Sequence, residues 1–246
     1  MTVITSKQNE TVKFVRSLQA KKDRQRTSQF AVEGDDFLAR ARTCGWIPDL
    51  LLSTSAASPF RDWAGQDMTV SDAVMAHMSR QANSHGHIAV FTRRLLHQMP
   101  QPAEDDVWIG LEEIRDPGNL GTIIRTADAA GAAGVVLIGE CCDPFSPECV
   151  RATTGSIFAI PLISAEDAFP PAGWPGDIVA TAMDAPTDFR RSYRLPALLL
   201  MGSEGGGLSP ALKACATVSV RIPMTGGAES LNVAIATGIM LYEIRR

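Results

Sequence analysis

Short apolar, strand-like runs alternate with helix-like segments through the later part of the chain, and this alternation limits the folds available to it. The runs cover residues 107–111, 135–138, 157–163, 178–183, 197–201 and 218–224, and a last helix-like segment covers 231–245. Strands that alternate with helices in this way form a largely parallel sheet covered by helices on both faces. We therefore predict an α/β domain over residues 107–246.

The segment LLHQMPQPAEDDVW separates this domain from an N-terminal one, because it combines two prolines with three consecutive acidic residues. We assign residues 1–95 to the first domain and 96–106 to a linker. The first domain is predicted to be a small α/β unit. Its helix-like segments are 9–22, 35–45 and 71–83, and its strand-like segments are 30–34, 49–53 and 87–91.

Charge is distributed unevenly along this chain, whose net charge is −4. Residues 1–100 carry 13 Lys and Arg against 9 Asp and Glu, whereas residues 101–246 carry 10 against 18. Positive charge is densest between Lys7 and Arg26, where seven basic residues stand against two acidic ones. Such a cluster can neutralise nucleic-acid phosphates. A solvated helix face is the alternative interpretation of the same residues.

The first of three motifs in the second domain is DPGNLGTIIRTADAAG, residues 116–131. Its Pro-Gly pair predicts a turn, and Asn119 is a candidate N-cap for the helix that follows. At 100° per residue the large apolar side chains share one face of this helix, and Arg125 lies almost opposite them among small residues. Arg125 is therefore either a cation that reaches a ligand or a surface residue paired with Asp128.

The second motif is LLLMGSEGGGLSP, residues 198–210, in which a buried strand runs into a glycine-rich loop. Ser209 and Pro210 predict the N-cap and first residue of a helix. Glycines allow the backbone to come close to a ligand, and Glu204 is a candidate ligand-facing acid. The loop lacks the Gly-Lys-Ser/Thr of a Walker loop and does not match GxGxxG.

The third motif is RIPMTGGAESLNVAIATGIMLYEI, residues 221–244, which predicts a strand, a glycine turn and a helix. Ser230 and Asn232 stand at the start of that helix and are candidate caps. The helix is apolar around most of its circumference. This pattern predicts burial between the sheet and a further surface, such as a second subunit.

The five cysteines and four histidines form no recognisable disulfide or metal pattern. An odd number of irregularly spaced cysteines is typical of a reduced, cytoplasmic protein. We interpret Cys141, Cys142 and Cys149, which have no histidine or fourth ligand close in sequence, as small packing residues. His85 and His87 lack a set of partner ligands in the sequence. No histidine follows His97, so the commonest general base is absent from the second domain. Neither a secretory signal nor an apolar run of membrane-spanning length is recognised.

At its three motifs the sequence resembles the SpoU (TrmH-like) family of RNA ribose 2′-O-methyltransferases, in the SPOUT superfamily. The resemblance rests on PGNLGTIIRTADAAG, MGSEGGGLSP and IPMTGGAESLNVAIATGIMLYE, and it covers residues 107–246. The first 95 residues resemble, more weakly, the family's substrate-binding extension, a domain similar to ribosomal protein L30e. The resemblance implies a C-terminal parallel-sheet domain with a trefoil knot, which binds S-adenosylmethionine and works as a homodimer.

The resemblance also implies which residues act. It places Arg125 at the reacting ribose and gives active-site positions to Asn119, Glu204, Ser230 and Asn232. It implies contacts with S-adenosylmethionine, largely through backbone groups, for Met201, Gly202, Ser203, Ile222, Met224 and Leu231. RNA contacts are then expected at Lys7, Lys13, Lys21, Lys22, Arg24 and Arg26, and no metal is expected. The resemblance implies that Arg125 is the base. Because a guanidinium normally keeps its proton, positioning of the ribose is the alternative role for Arg125.

The expected activity is methylation of a ribose 2′-hydroxyl in RNA, with ribosomal RNA favoured and tRNA as the alternative substrate. A second hypothesis is an RNA-binding protein that has the fold without catalysis, and failure to bind S-adenosylmethionine would favour it. A third is a dinucleotide-dependent oxidoreductase, suggested by the alternating strands and the glycine loop. The absence of GxGxxG after the first strand argues against that third hypothesis.

Overall fold

The computed structural model describes residues 3–80, 86–165, 169–203 and 205–246. The chain forms two compact units, each with its own sheet. Unit 1 comprises residues 1–93 and 145–159, and unit 2 comprises residues 94–144 and 160–246. Residues 145–159 belong to the predicted second domain, whereas their contacts group them with unit 1.

Unit 1 is built on a four-stranded sheet of order β1-β4-β2-β3, in which β4 is antiparallel to both neighbours and β3 is parallel to β2. Its strands are β1 (Gln29–Glu33), β2 (Leu50–Ser53), β3 (Asp67–Thr69) and β4 (His87–Thr92). Its helices before residue 93 are α1 (Glu10–Ser17), α2 (Lys21–Thr27), α3 (Asp35–Thr43) and α4 (Asp72–Met78). Strand β3 was not predicted, because it is only three residues long and carries one apolar side chain.

The single helix predicted over residues 9–22 is wrong, because α1 and α2 are separate helices. Ala20 has an extended backbone between them, with φ −89° and ψ 133°. The guanidinium of Arg24 donates hydrogen bonds to the carbonyl oxygens of Leu18 and Gln19, at 2.9 and 2.8 Å. Carbonyl groups at the end of a helix have no intrahelical partner, so Arg24 stabilises the break between α1 and α2.

Unit 2 is built on a seven-stranded sheet of order β7-β6-β5-β10-β8-β11-β9. The strands are β5 (Val107–Glu112), β6 (Gly134–Ile138), β7 (Leu162–Ala165), β8 (Ile178–Thr181), β9 (Thr187–Asp188), β10 (Ala197–Met201) and β11 (Val218–Arg221). The helices after residue 93 are α5 (Pro117–Ala129), α6 (Pro147–Thr153, in unit 1), α7 (Pro210–Cys215) and α8 (Val233–Ile244). All six strand pairings are parallel, which confirms the predicted sheet.

The predicted strand over residues 157–163 is wrong in its first half. Residues Ser156–Phe158 form a 3-10 helix, and the strand begins only at Leu162. The rings of Phe145 and Phe158 join the aromatic core of unit 1, with centroids 4.9 Å from Phe30 and 5.0 Å from Phe91 respectively. The apolar side chains at 157 and 158 therefore belong to a core, not to a strand, and the same contacts explain why this segment groups with unit 1.

Candidate active site

Three predicted motifs meet at the edge of the unit 2 sheet where its strands end. The strands are parallel, so their carboxyl ends share one edge, which is where ligands bind in open α/β sheets. Only β8 separates β10 from β11, which puts the two strand ends about 10 Å apart. Met201, Gly202 and Ser203 leave β10 at this edge, and Ile222 leaves β11.

The glycine-rich loop after β10 folds back tightly on itself. A Cβ atom at Gly202 would lie 2.1–2.3 Å from backbone atoms of Gly207 and Leu208, so only glycine fits. The amide of Gly207, which has φ +62°, donates to the carbonyl oxygen of Ser203 at 2.9 Å. Glu204 lies outside the described residues.

The end of the same loop is held by a residue that the sequence analysis missed. The amide of Ser209 donates a 2.7 Å hydrogen bond to Oε2 of Glu112, the last residue of β5. Ser209 is the N-cap of α7 and Pro210 its first residue, as predicted. The only signal for Glu112 in the sequence was a carboxylate at the end of a buried strand.

Helix α5 begins earlier than predicted, so Asn119 is not its N-cap. Asp116 caps the helix by accepting the amide hydrogen of Asn119 at 2.7 Å, and Pro117 occupies the first helical position. Proline fits there because its missing N–H needs no partner in the first turn. Asn119 therefore lies inside the first turn of α5, where it does not serve the helix as a cap.

Asn232 caps α8, as the sequence predicted, and also contacts Asn119. Its Oδ1 accepts the amide hydrogens of Ala234 and Ile235 at 2.9 and 3.3 Å. This cap fixes the orientation of the side-chain amide. Its Nδ2 consequently donates a 2.8 Å hydrogen bond to Oδ1 of Asn119. The first and third motifs are thus joined where two helix N-termini, each with a partial positive charge, come together.

Arg125 is exposed on α5, and the described part of the chain provides it with no hydrogen bond or ion pair. The alternative pairing with Asp128 is therefore not observed. Six residues separate Arg125 from Asn119, which corresponds to about 120° around the helix and about 9 Å along it. The structure thus brings Asn119 and Asn232 together and does not place Arg125 in contact with them. Ser230 is exposed in the loop before α8.

Helix α8 presents an apolar surface to solvent. Ile235 and Tyr242 are 55% and 60% exposed, and seven residues, or two turns, place them on one face. The other side of α8 is buried through Val233, Met240 and Leu241. One face of α8 is therefore buried within the chain, as predicted, whereas the face that carries Ile235 and Tyr242 is exposed to solvent in the single chain.

The cysteines beside α5 are not reactive nucleophiles near neutral pH. Burial, followed by the charges of Cys141, Asp116 and Asp143, raises the pKa of Cys142 to about 12. Burial also raises the pKa of Cys141. Both thiols therefore keep their protons at neutral pH.

No group of three metal-ligating side chains is arranged to hold an ion within the described ranges. His85 lies outside those ranges, and His87 bonds to Asp35 and Ser58 at 2.7 and 2.8 Å. No helix among the described residues is both long and apolar enough to cross a membrane.

Most of the predicted RNA-contact residues form an exposed basic surface on unit 1. Lys7, Lys21 and Lys22 are exposed, whereas Lys13 and Arg26, also exposed, form ion pairs with Glu10 and Asp23 at 3.1 and 2.8 Å. Arg24 is the exception, because it is only 3% exposed and bonds to backbone carbonyls. Its expected RNA contact is not compatible with this position.

Arg16 belongs to the same basic surface and was not singled out from the sequence. Its guanidinium lies 2.8 Å from Nε2 of His77, which accepts a hydrogen bond from it. Partial desolvation and the charges of Arg16 and Lys7 lower the pKa of His77. The imidazole is therefore neutral at neutral pH and adds no charge to the surface.

These features define a class of protein before any comparison. An all-parallel α/β domain with a glycine loop at its carboxyl edge binds a small cofactor there. The polar side chains around that edge include amides, a hydroxyl, a guanidinium and the carboxylates of Glu112 and Asp116, and the sequence contains no histidine after His97.

Comparison with known proteins identifies the class. Residues 106–242 match the model of the SpoU rRNA Methylase family, and residues 9–89 match the MRM3-like substrate binding domain. The chain belongs to the SpoU rRNA Methylase family. The resemblance inferred from the three motifs is thus confirmed.

Relatives extend over the whole chain. The 23S rRNA (guanosine(2553)-2′-O)-methyltransferase RlmP of Bacillus subtilis is 30% identical, with 100% of both chains covered. An AdoMet-bound rRNA methyltransferase from Sinorhizobium meliloti is 40% identical, with a TM-score of 0.87 over 98% of this chain and 96% of that one. The SpoU methyltransferase AviRb from Streptomyces viridochromogenes, in complex with AdoMet, is 28% identical, with a TM-score of 0.80 over 96% and 97%.

Proposed function

We propose that this protein transfers a methyl group from S-adenosylmethionine to a ribose 2′-hydroxyl of RNA, and that its substrate is ribosomal RNA. Its family and its relatives over the full chain support this activity. The structural observation that supports the assignment of specific residues to this activity is the 2.8 Å hydrogen bond between Asn232 and Asn119. It joins the first and third motifs at the sheet edge where the loop of the second motif also ends.

The residues at this edge fit S-adenosylmethionine. At the end of β10, Gly202 can contribute only backbone groups, because a side chain there would meet the backbone of Gly207 and Leu208, and Met201 and Ser203 flank it. Ile222, Met224 and Leu231 are half-buried apolar side chains of the loop after β11. An apolar surface with a few backbone polar groups suits an adenosyl group. We propose these six residues as its contacts.

S-adenosylmethionine, when bound, would supply a methyl group from its positively charged sulfur to the ribose 2′-oxygen, which would leave S-adenosylhomocysteine and release the hydroxyl proton to solvent water. The chain contributes orientation. The hydrogen bond from Asn232 holds the Asn119 side chain at the start of α5, and we propose that this side chain orients the ribose. We assign Arg125 to positioning the nucleotide and to stabilising the developing alkoxide, roles that suit a guanidinium as a fixed fork of hydrogen-bond donors. Ser230 and Glu204 remain proposed members of the site.

A homodimer would complete this site. Arg125 is exposed and does not contact Asn119 within one chain, and the apolar face of α8 with Ile235 and Tyr242 is open. Burial of such a face against a second copy is favourable by about 25 cal/mol per Å². We propose that α8 lies in a dimer interface and that Arg125 acts there. The trefoil knot remains a prediction from the resemblance, and a cytoplasmic location remains a prediction from the cysteine pattern.

Labelled methyl transfer to unmodified ribosomal RNA and to tRNA, followed by nuclease digestion and mass spectrometry of nucleosides, tests the proposal. A 2′-O-methyl nucleoside formed in ribosomal RNA is the expected result. If the 2′-O-methyl nucleoside forms only in tRNA, the substrate is tRNA and the proposal of ribosomal RNA is wrong. No product together with no S-adenosylmethionine binding would favour the non-catalytic RNA-binding protein. Tyr242→Glu, compared by light scattering with Tyr193→Glu in the same unit, tests the dimer.

A further inference from the structure

Unit 1 contains a pocket to which the proposed methyl transfer assigns no role. Its walls are mainly apolar and include Leu18, Val32, Phe37, Met78, Ile88 and Phe145. They come from both segments of the unit, 1–93 and 145–159. The cavity volume is about 90 Å³, several times the 10–15 Å³ that one water needs on the same measure. The pocket therefore has room for a group larger than a water molecule.

The rim of this pocket carries both donors and acceptors. Nη2 of Arg80 lies 2.7 Å from Oε1 of Glu148, and Glu33 accepts hydrogen bonds from the hydroxyl of Ser79 and the amide of Arg80, the latter at 3.3 Å. These bonds fix two carboxylates in place. Arg151 is exposed at the rim, and no hydrogen bond or ion pair holds its side chain within the described part of the chain.

The charges of the rim balance, with two arginines, Arg80 and Arg151, against Glu33 and Glu148. A pocket without net charge does not select a bare anion. An apolar wall with aromatic rings and a mixed polar rim suits a planar heteroaromatic group whose edge both donates and accepts hydrogen bonds. An unstacked nucleobase has this chemistry.

The basic surface continues from the pocket along the chain. Gln19, also at the rim, directly precedes the turn into α2, where Lys21 and Lys22 are exposed. A base held in the pocket would leave its sugar–phosphate backbone outside, and a phosphate needs a cation within reach. The pocket also lies in the unit whose residues 9–89 match a substrate binding domain.

We propose that this pocket receives one unstacked base of the RNA substrate, with the neighbouring phosphates on Lys21 and Lys22. The inference rests on the proposed RNA methylation and deepens it by assigning the form of RNA that unit 1 recognises. A base in a regular duplex is stacked and paired, so the pocket would select a loop, a bulge or a single strand. Recognition by unit 1 would then depend on RNA structure as well as on charge.

Two variants with matched controls test the pocket. Ala31→Phe fills it, and Ala39→Phe makes the same change at an exposed position of α3. Arg151→Glu reverses a rim charge without altering the buried walls, and Arg42→Glu reverses an exposed charge of α3 elsewhere on unit 1. We expect each pocket variant to raise the KM for RNA about tenfold, as removal of the stacking surface for one base does. The Kd for S-adenosylmethionine and the KM of both controls should stay at wild-type values.

A direct probe identifies the occupant. Substrate RNA carrying 4-thiouridine at unpaired positions is cross-linked to the full chain in the presence of saturating S-adenosylhomocysteine, which blocks the cofactor site. We expect cross-links in peptides containing Phe37, Met78 or Phe145, and their loss in Ala31→Phe.

The failure of this inference is distinct from failure of the proposed function. If both pocket variants fold and methylate RNA with the wild-type KM, and the wild-type protein gives no cross-link in these peptides, the pocket does not bind RNA. Binding of free nucleoside monophosphates without any effect on RNA KM would also overturn it, because the pocket would then be a small-molecule site. If the wild type neither binds S-adenosylmethionine nor methylates RNA, the proposed function fails first.

Discussion

Nδ2 of Asn232 donates a 2.8 Å hydrogen bond to Oδ1 of Asn119, although 113 residues separate them in the chain. The bond depends on two unrelated local structures. Asn232 is oriented by capping α8, and Asn119 is held in the first turn of α5 by the Asp116 cap. A substitution at the N-terminus of either helix should therefore alter the position of the asparagine side chain at the N-terminus of the other.

Asn232→Asp should separate the two roles of this residue. Aspartate caps a helix about as well as asparagine, so stability should stay within about 0.5 kcal/mol of wild type. The new carboxylate can only accept hydrogen bonds, so it cannot donate to Oδ1 of Asn119, and the contact between the two side chains must rearrange. We expect kcat for methyl transfer to fall at least about tenfold, as measured with saturating RNA.

Asn232→Ala removes the cap as well and is the comparison for stability. We expect it to lower the free energy of unfolding by about 1 kcal/mol, visible as a lower urea midpoint. Wild-type turnover in Asn232→Asp would show that the Asn232–Asn119 bond has no part in catalysis.

Gly202→Ala should disrupt the cofactor loop. The added Cβ would lie 2.1–2.3 Å from backbone atoms of Gly207 and Leu208, so the loop must move. We expect at least a tenfold loss of S-adenosylmethionine affinity by calorimetry. Gly205→Ala is the matched control, because a Cβ there meets no atom within 4 Å. Equal affinities for the two variants would mean that the turn at Gly202 does not shape the cofactor site.

Arg125→Ala should abolish turnover and spare cofactor binding. The side chain is exposed on a helix, so its removal should change stability by no more than about 0.5 kcal/mol. We expect kcat to fall by about 100-fold or more, with an unchanged Kd for S-adenosylmethionine. Arg115→Ala, at another exposed arginine of unit 2, controls for the loss of charge. A large loss of cofactor affinity in Arg125→Ala would contradict its assignment to the nucleotide.

Charge reversal at Lys21 and Lys22 should weaken RNA binding in a salt-dependent way. Both lysines are exposed. For every phosphate that is no longer neutralised, the slope of log K against log salt should become shallower by about 0.7–0.9. Lys213→Glu, on exposed α7 of unit 2, is the control for a change in net charge. An RNA Kd that is independent of Lys21 and Lys22 at low salt would restore the alternative of a solvated helix face.

Arg24→Ala should act on stability and not on RNA charge contacts. The substitution leaves the carbonyl groups of Leu18 and Gln19 without their buried donor, which costs about 1–3 kcal/mol. A lower urea midpoint with an unchanged salt slope of RNA binding is the expected pair of results.

Cys142 should resist alkylation up to high pH. Its pKa is raised to about 12, first by burial and then by Cys141, Asp116 and Asp143. The thiol therefore stays protonated at pH 9, whereas an unfolded cysteine, with a pKa near 8.5, is largely ionised. Mass spectrometry after iodoacetamide treatment at pH 9 should show labelling of exposed Cys215 well before Cys142.

The same shift gives a stability effect of defined sign. Because the folded pKa is raised, the stabilising contribution is complete below the ordinary thiol pKa. It is lost as the pH rises from about 8.5 toward 12, since only the unfolded state releases the proton in this window. Cys142→Ser should flatten this part of the stability profile; an unchanged profile would contradict the shift.

The sequence alone determined the parallel sheet of unit 2, the positions of its main strands and the family of the chain. Strand β10 and the caps of α7 and α8 follow from local patterns, namely a short apolar run and a Ser or Asn before a helix. The tight turn at Gly202 is likewise a property of a few consecutive residues. Strand patterns, helix caps and turns depend on interactions among a few neighbouring residues, so the sequence alone can predict them.

The tertiary structure decided what depends on distant partners. An apolar run of residues does not indicate which hydrophobic core it will join. Residues 157 and 158 were therefore predicted as part of a strand of the second domain, but they pack in unit 1. The identity of a basic residue does not indicate whether its N–H groups will bond to water or to backbone carbonyls. Arg24 was therefore expected at the surface, but it is buried and bonds to carbonyl oxygens. The contact of Asn119 with Asn232 depends on how α5 and α8 pack on one sheet, because a hydrogen bond forms only when folding brings both groups to within about 3 Å.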